Sequence, residues 1–190
     1  MSAFTKLRAE FITNWTTILV GWIGLGVLSP WPDRWKESSP LVSVTDITAY
    51  ADQQLASSTG DAERNLIVKL LSLDLRTERR ETIRDFIQRL SDLDGGDASV
   101  ELRKWRVVLL EELLDNMPKD ALYGLIALTE FWLSFGFPSD NPHEVQGREN
   151  ALTPAEYYQQ ENLNRLLGRH RVWIDQERSE IKRHSLPSFP

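Results

Sequence analysis

Val100-Glu-Leu-Arg-Lys-Trp105-Arg-Val-Val-Leu-Leu110-Glu-Glu-Leu-Leu114, a Met117-Pro118 break, and then Leu122 through Phe137-Pro138 decide the fold of this 190-residue chain. The apolar positions recur at helical spacing on both sides of the break, which predicts two helices joined by a tight turn. On a helical wheel Leu102, Trp105, Leu109, Leu110, Leu113, Leu114 and Met117 cover about half the circumference, so the first helix should touch neighbours on several sides and lie centrally. Arg106 falls inside that arc; its stem must reach the surface or its guanidinium must pair with a buried carboxylate. The opposite face gathers Glu101, Glu111, Glu112 and Asp115, with Lys104 among them, and reads as a solvated acidic strip. Positions 119–135 are almost wholly apolar (Leu122, Tyr123, Leu125, Ile126, Leu128, Phe131, Trp132, Leu133 and Phe135) and should complete the core hairpin.

The flanks are helical too. Phe4, Leu7, Phe11, Trp15, Ile18, Leu19, Trp22 and Ile23 keep helical spacing from about Ala3 to Leu28, interrupted near Thr13-Asn14. Ser43 and Asp46 resemble a capping box ahead of a helix to Ser57. Further helices are expected after a cap at Asp61, from Thr77 to Leu93, and from Thr153-Pro154-Ala155-Glu156 to about Arg183, the last with a strong N-terminal signature. No segment alternates as a strand would. The fold class is therefore all-α: a compact multi-helix bundle around an apolar hairpin at about 100–136, or a short helical array. A single domain over 1–190 is expected, with a Pro/Trp-rich loop at 29–42 and a short C-terminal tail at 185–190.

Composition narrows the function classes. A net charge of −6 argues against a general nucleic-acid binder and favours association with basic partners. Cysteine is absent, which removes disulfides, thiolate nucleophiles and cysteine-ligated metals. The apolar run Ile18 to Leu28 is too short for a span, which takes about 20 residues. It has the length of a signal-peptide core behind Lys6 and Arg8, but Glu10, Asn14 and Ser29-Pro30-Trp31 do not suit one. A cytoplasmic protein without membrane attachment is therefore expected, with secretion as the minor alternative. Asp92-Leu-Asp94-Gly-Gly-Asp97 fails the EF-hand spacing and reads as an interhelical turn.

No catalytic constellation appears. The three histidines, His143, His170 and His184, show no metal-ligand spacing. His170 lies on the apolar stripe of the last helix, where a satisfied core histidine is the ordinary explanation. Asp140, His143 and Glu144, in the long polar loop 139–152, form the one short cluster able to hold a metal or do acid–base work. No catalytic residue, metal or cofactor is assigned. Trp31 and Trp35, in the Pro-rich loop, are candidate partner anchors together with Glu111, Glu112 and Asp115, although a lid over the core explains the two tryptophans at least as well.

One resemblance adds to this reading. Trp15, Ile18, Gly21-Trp22, Gly26, Leu28-Ser29, Ile47 and Tyr50-Ala51, then Lys104-Trp105, Leu109-Leu110, Ile126, Phe131-Trp132 and Phe137-Pro138, resemble a bacterial family of unknown function. The likeness runs from Trp15 to about Val145, with the Pro/Trp loop as an insertion. Small acidic helical proteins of this kind are similar to immunity proteins of polymorphic toxin systems. The resemblance implies a non-enzymatic, protein-binding protein that neutralises a cognate toxin, such as a basic nuclease domain, by occlusion. It carries no catalytic residues to transfer. A small metal-dependent hydrolase using the 140–144 loop and a helical adaptor or structural subunit are the alternatives.

Overall fold

The computed structural model describes residues 2–24, 40–148 and 150–184. Trp31 and Trp35 lie outside the described residues, as does the 185–190 tail. Nine helices and no strand occur among the described residues: α1 Ala3–Glu10, α2 Trp15–Ile23, α3 Val44–Ser57, α4 Asp61–Leu71, α5 Arg80–Asp94, α6 Ala98–Asn116, α7 Ala121–Ser134, α8 Pro154–Tyr157 and α9 Gln160–His184. The all-helical class is as the apolar periodicity requires. Described residues 2–24 and 40–105 form one compact unit, and those from 106 onward form a second, with the division falling inside α6.

In the first unit, the expected interruption near Asn14 is a full helix break. Phe11 leaves α1 in an extended conformation, and Asn14 caps α2 by accepting from the Thr17 N–H at 2.8 Å. Asp94 adds a second acceptor at the same helix start, for the Trp15 N–H. Ser43 and Asp46 form the capping box read from the sequence. The Asp92–Asp97 segment is a packing turn. Gly95 ends α5 in the left-handed region at φ 64°, and a Cβ on Gly96 would stand 2.5 Å from Thr16 Oγ1. Phe4 stacks on Trp105 at 6.1 Å, while Tyr50 meets Trp15 edge-on at 5.0 Å. Trp105 donates to the Thr17 carbonyl at 3.0 Å, and Gly21 lies so close that an added Cβ would come within 2.5 Å of the indole.

The solvated strip expected on α6 does not survive at its N-terminal end. Glu101 and Lys104 are buried at 3% and 4% exposure and pair at 2.6 Å. Lys104 also donates to the Ile12 carbonyl at 2.8 Å, and Glu101 accepts from Thr17 Oγ1 and from Asn14 Nδ2. The physical cause is the α1–α2 break: its freed backbone and cap groups need partners, and these two side chains supply them.

In the second unit, Asp120 caps α7 through the Tyr123 N–H at 3.1 Å. Gly124 admits the Pro118 carbonyl and Leu163, which a Cβ would meet at 3.0 and 3.1 Å. Leu125, Leu128 and Trp132 are fully buried, as are Leu166 and His170 of α9, and α7 packs on α9. The long last helix is interrupted. Thr153 and Pro154 start it as expected, but α8 stops after Tyr157, whose carbonyl accepts from Asn162 Nδ2 at 2.7 Å. Burial of the Tyr157 ring, with its hydroxyl donating to the Glu144 carbonyl, holds that corner.

Three apolar residues of α7 expected in the core lie at the surface. Leu122, Tyr123 and Ile126 are exposed at 41%, 62% and 37%. Apolar residues occur on every face of α7, and Glu130 is its one charged residue, so the apolar pattern marked the outward face only weakly. Among the described residues no helix is long and apolar enough to cross a membrane.

Candidate functional site

The most concentrated polar chemistry in the second unit surrounds Arg106. Of the two options open to this residue, the structure takes the buried pair. Its side chain is 8% exposed and its two terminal nitrogens grip Asp140 at 3.2 and 2.9 Å, the fork geometry that suits a carboxylate. Nη2 also donates to Glu177 at 3.1 Å, whose side chain is 4% exposed. The guanidinium lies over Trp173 and Trp132, 5.0 and 5.9 Å from the ring centroids, and the two indoles meet edge-to-face at 5.2 Å. Two carboxylates and two aromatic faces thus compensate one desolvated cation. The layer ties α6, α7, the 139–152 loop and α9 together within this unit.

The next layer is neutral. The Trp132 indole N–H donates to His170 Nε2 at 2.8 Å, and His170 Nδ1 lies 2.6 Å from the Leu166 carbonyl. Because an indole only donates and a carbonyl only accepts, His170 must be the neutral Nδ1–H tautomer. His143 packs against it at 5.6 Å between ring centroids and meets Thr129 Oγ1 at 2.8 Å through Nε2. Thr129 spends its one hydroxyl proton on the Leu125 carbonyl at 2.8 Å, so His143 Nε2 donates and its buried Nδ1 is left without a partner. Burial lowers the pKa of His170 to about 4. Burial, and then the neighbouring His170, lowers that of His143 to about 3.

Glu144 turns away from this layer. Arg165 binds its carboxylate at 2.6 and 3.0 Å and Arg169 adds a further contact, so hydrogen bonding from Arg165 holds Glu144 below the usual carboxylate range. Asp140, His143 and Glu144 are therefore close in sequence but serve three different partners. No group of three His, Asp or Glu side chains able to hold a metal occurs among the described residues. These groups position helices and a loop.

The acidic candidates on α6 separate. Glu111 is 43% exposed at its side chain and already paired with Arg178 at 3.1 Å, Glu112 is half-buried, and Asp115 is exposed. Beyond the 117–120 turn, the exposed residues of α7 are Leu122, Tyr123, Ile126 and Glu130. At 100° per residue they fall on one stripe about a quarter of the circumference wide. Three of these four are large and apolar. Glu130 gives the stripe an acidic member, Asp120 caps the same helix at its start, and Asp115 near the end of α6 is exposed as well. Sequence reasoning missed this face, although Glu130, the one charged residue of α7, lies four positions after Ile126 and seven after Tyr123 on the same stripe.

The family described as an uncharacterized protein conserved in bacteria (DUF2247) matches residues 4–178, so the chain belongs to it. No curated protein and no solved structure matches the chain.

Proposed function

We propose that this member of a bacterial family is a protein-binding protein of the immunity type, which neutralises a cognate toxin domain by covering it. The observation that carries the reading is the solvent face of α7. An exposed Leu-Tyr-Ile stripe with acidic neighbours combines the aromatic anchor and the charged rim of a recognition surface, and it fits a basic partner. The net charge of −6 favours the same association. The cytoplasm is the compartment that this reading requires. A hydrolase built on Asp140, His143 and Glu144 draws no support from a geometry in which both carboxylates are held by arginines. A helical adaptor would use the same face and differs only in what its partner does.

Tagged protein recovered from its own bacterium should bring down one stoichiometric partner with a basic domain. Against that purified partner, Asp115→Lys with Glu130→Lys should slow association and weaken its salt dependence. Tyr123→Ala should weaken affinity by roughly 30-fold if Tyr123 is a hot spot of about 2 kcal/mol. Unchanged kinetics in both variants would remove this face from the reading. Recovery of no basic partner under conditions of its expression would end the immunity reading itself.

A further inference from the structure

The buried histidine layer has a use beyond packing. His170 is fully buried and both of its ring nitrogens are committed, one to a group that can only donate and one to a group that can only accept. A second proton would have to enter at Nε2, head-on to the Trp132 indole N–H. The ring therefore cannot become charged and keep the bond between α9 and α7. We infer that His170 is an acid-sensitive latch of the second unit, whose protonation breaks the Trp132 contact and loosens α9 from α7.

The surroundings offer the charged form little relief. From the loop, His143 faces the ring, itself neutral and with no acceptor free except a buried Nδ1. On α9, Arg169 adds a positive charge nearby, and burial with that charge lowers the pKa. The adjacent loop carboxylate, Glu144, is engaged by Arg165 and Arg169, and the α8 residue Tyr157 donates its hydroxyl to the Glu144 backbone. On α7 the facing residue is Trp132, which has no charge. Beyond that indole, the α6 residue Arg106 is held by Asp140 and Glu177. Among the described residues, each of these charged groups is either positive or already paired.

The direction follows from linkage. The folded-state pKa of His170 lies at about 4, below that of an unfolded histidine at roughly 6.5, so the unfolded chain binds the extra proton first. Stability is fully present above about pH 6.5 and is lost as the pH falls towards 4. At pH 5 this one residue should lower the folding equilibrium constant by roughly 30-fold relative to neutral pH.

The test uses the full chain. Histidine ring resonances, assigned by His143→Gln and His184→Gln, should show His170 neutral down to pH 5 while the protein stays folded. Urea denaturation at pH 7.5 and pH 5 should then show a roughly 30-fold larger loss in the folding constant for the wild type than for His170→Gln, which has no titrating group. A His170 resonance that titrates near pH 6.5 in the folded protein overturns the inference. So does an equal pH dependence in wild type and variant. Should His170→Gln fail to fold, the resonance titration decides alone.

Discussion

Replacing Lys104 by Met tests how the first unit holds its α1–α2 break. The substitution keeps the length of the side chain and removes the ammonium. Glu101 would then stay buried, with the Thr17 hydroxyl and Asn14 amide as its remaining donors. Breaking a buried pair from one side typically costs about 3–5 kcal/mol. The two donors left on Glu101 argue for the lower end, about 3 kcal/mol, to which the stranded Ile12 carbonyl adds about 1 kcal/mol where it stays dry. In a chain of this size that lowers the Tm by roughly 6–15 °C. The double variant Glu101→Gln, Lys104→Met removes both charges and should recover most of the loss, retaining about 1–2 kcal/mol of destabilisation from the lost Ile12 contact. Urea unfolding followed by tryptophan fluorescence measures all three proteins, since Trp15 and Trp105 lie in the affected core. A loss below about 1 kcal/mol in the single variant would refute the reasoning, because a buried uncompensated carboxylate cannot be that cheap. So would a double variant as unstable as the single one, which would locate the cost in packing and not in charge.

Gly21→Ala should destabilise by about 1–3 kcal/mol through overpacking, since the new methyl would stand 2.3 Å from Val42 and 2.5 Å from Trp105; the urea midpoint reads this directly. Arg106→Lys should cost about 1.5–3 kcal/mol despite its retained charge, because one ammonium cannot reproduce the fork to Asp140 while also reaching Glu177; equilibrium unfolding is again the measurement. Tyr123→Ser alone should change stability by no more than about 0.5 kcal/mol, since that side chain is 62% exposed. A large destabilisation there would mean that the α7 face is core, and it would remove that face as a docking surface.

Much of the secondary structure was legible from local signals. Ser43 and Thr153 cap the helices that follow them as their spacing indicates, because capping is a contact between neighbours in sequence, whereas Asp61 stands inside α4 behind Gly60, which gives no side-chain cap. The last helix shows the limit of such signals. Thr153 and Pro154 start it correctly, yet it stops at Tyr157, because Asn162 takes the Tyr157 carbonyl and the buried ring fixes the corner. The candidate site was legible only in its ingredients. Arg106 stood out as a cation on an apolar arc, and His170 as a histidine on an apolar stripe. Neither the Asp140–Arg106–Glu177 clamp nor the Trp132–His170 bond joins neighbours in sequence.

By itself, the sequence determined that this chain is helical, where most of its helices begin, and that it has no cysteine chemistry, because propensity, capping and composition act over a few residues. Only the tertiary structure decided which faces are inside. Glu101 and Lys104 look solvated until the α1–α2 break offers them the Ile12 carbonyl, the Asn14 amide and the Thr17 hydroxyl. Leu122, Tyr123 and Ile126 look buried until α7 turns its other face to α9. A charge is buried where distant partners compensate it, and an apolar side chain is exposed where no neighbour arrives. Both conditions depend on residues far away along the chain, which local periodicity does not contain.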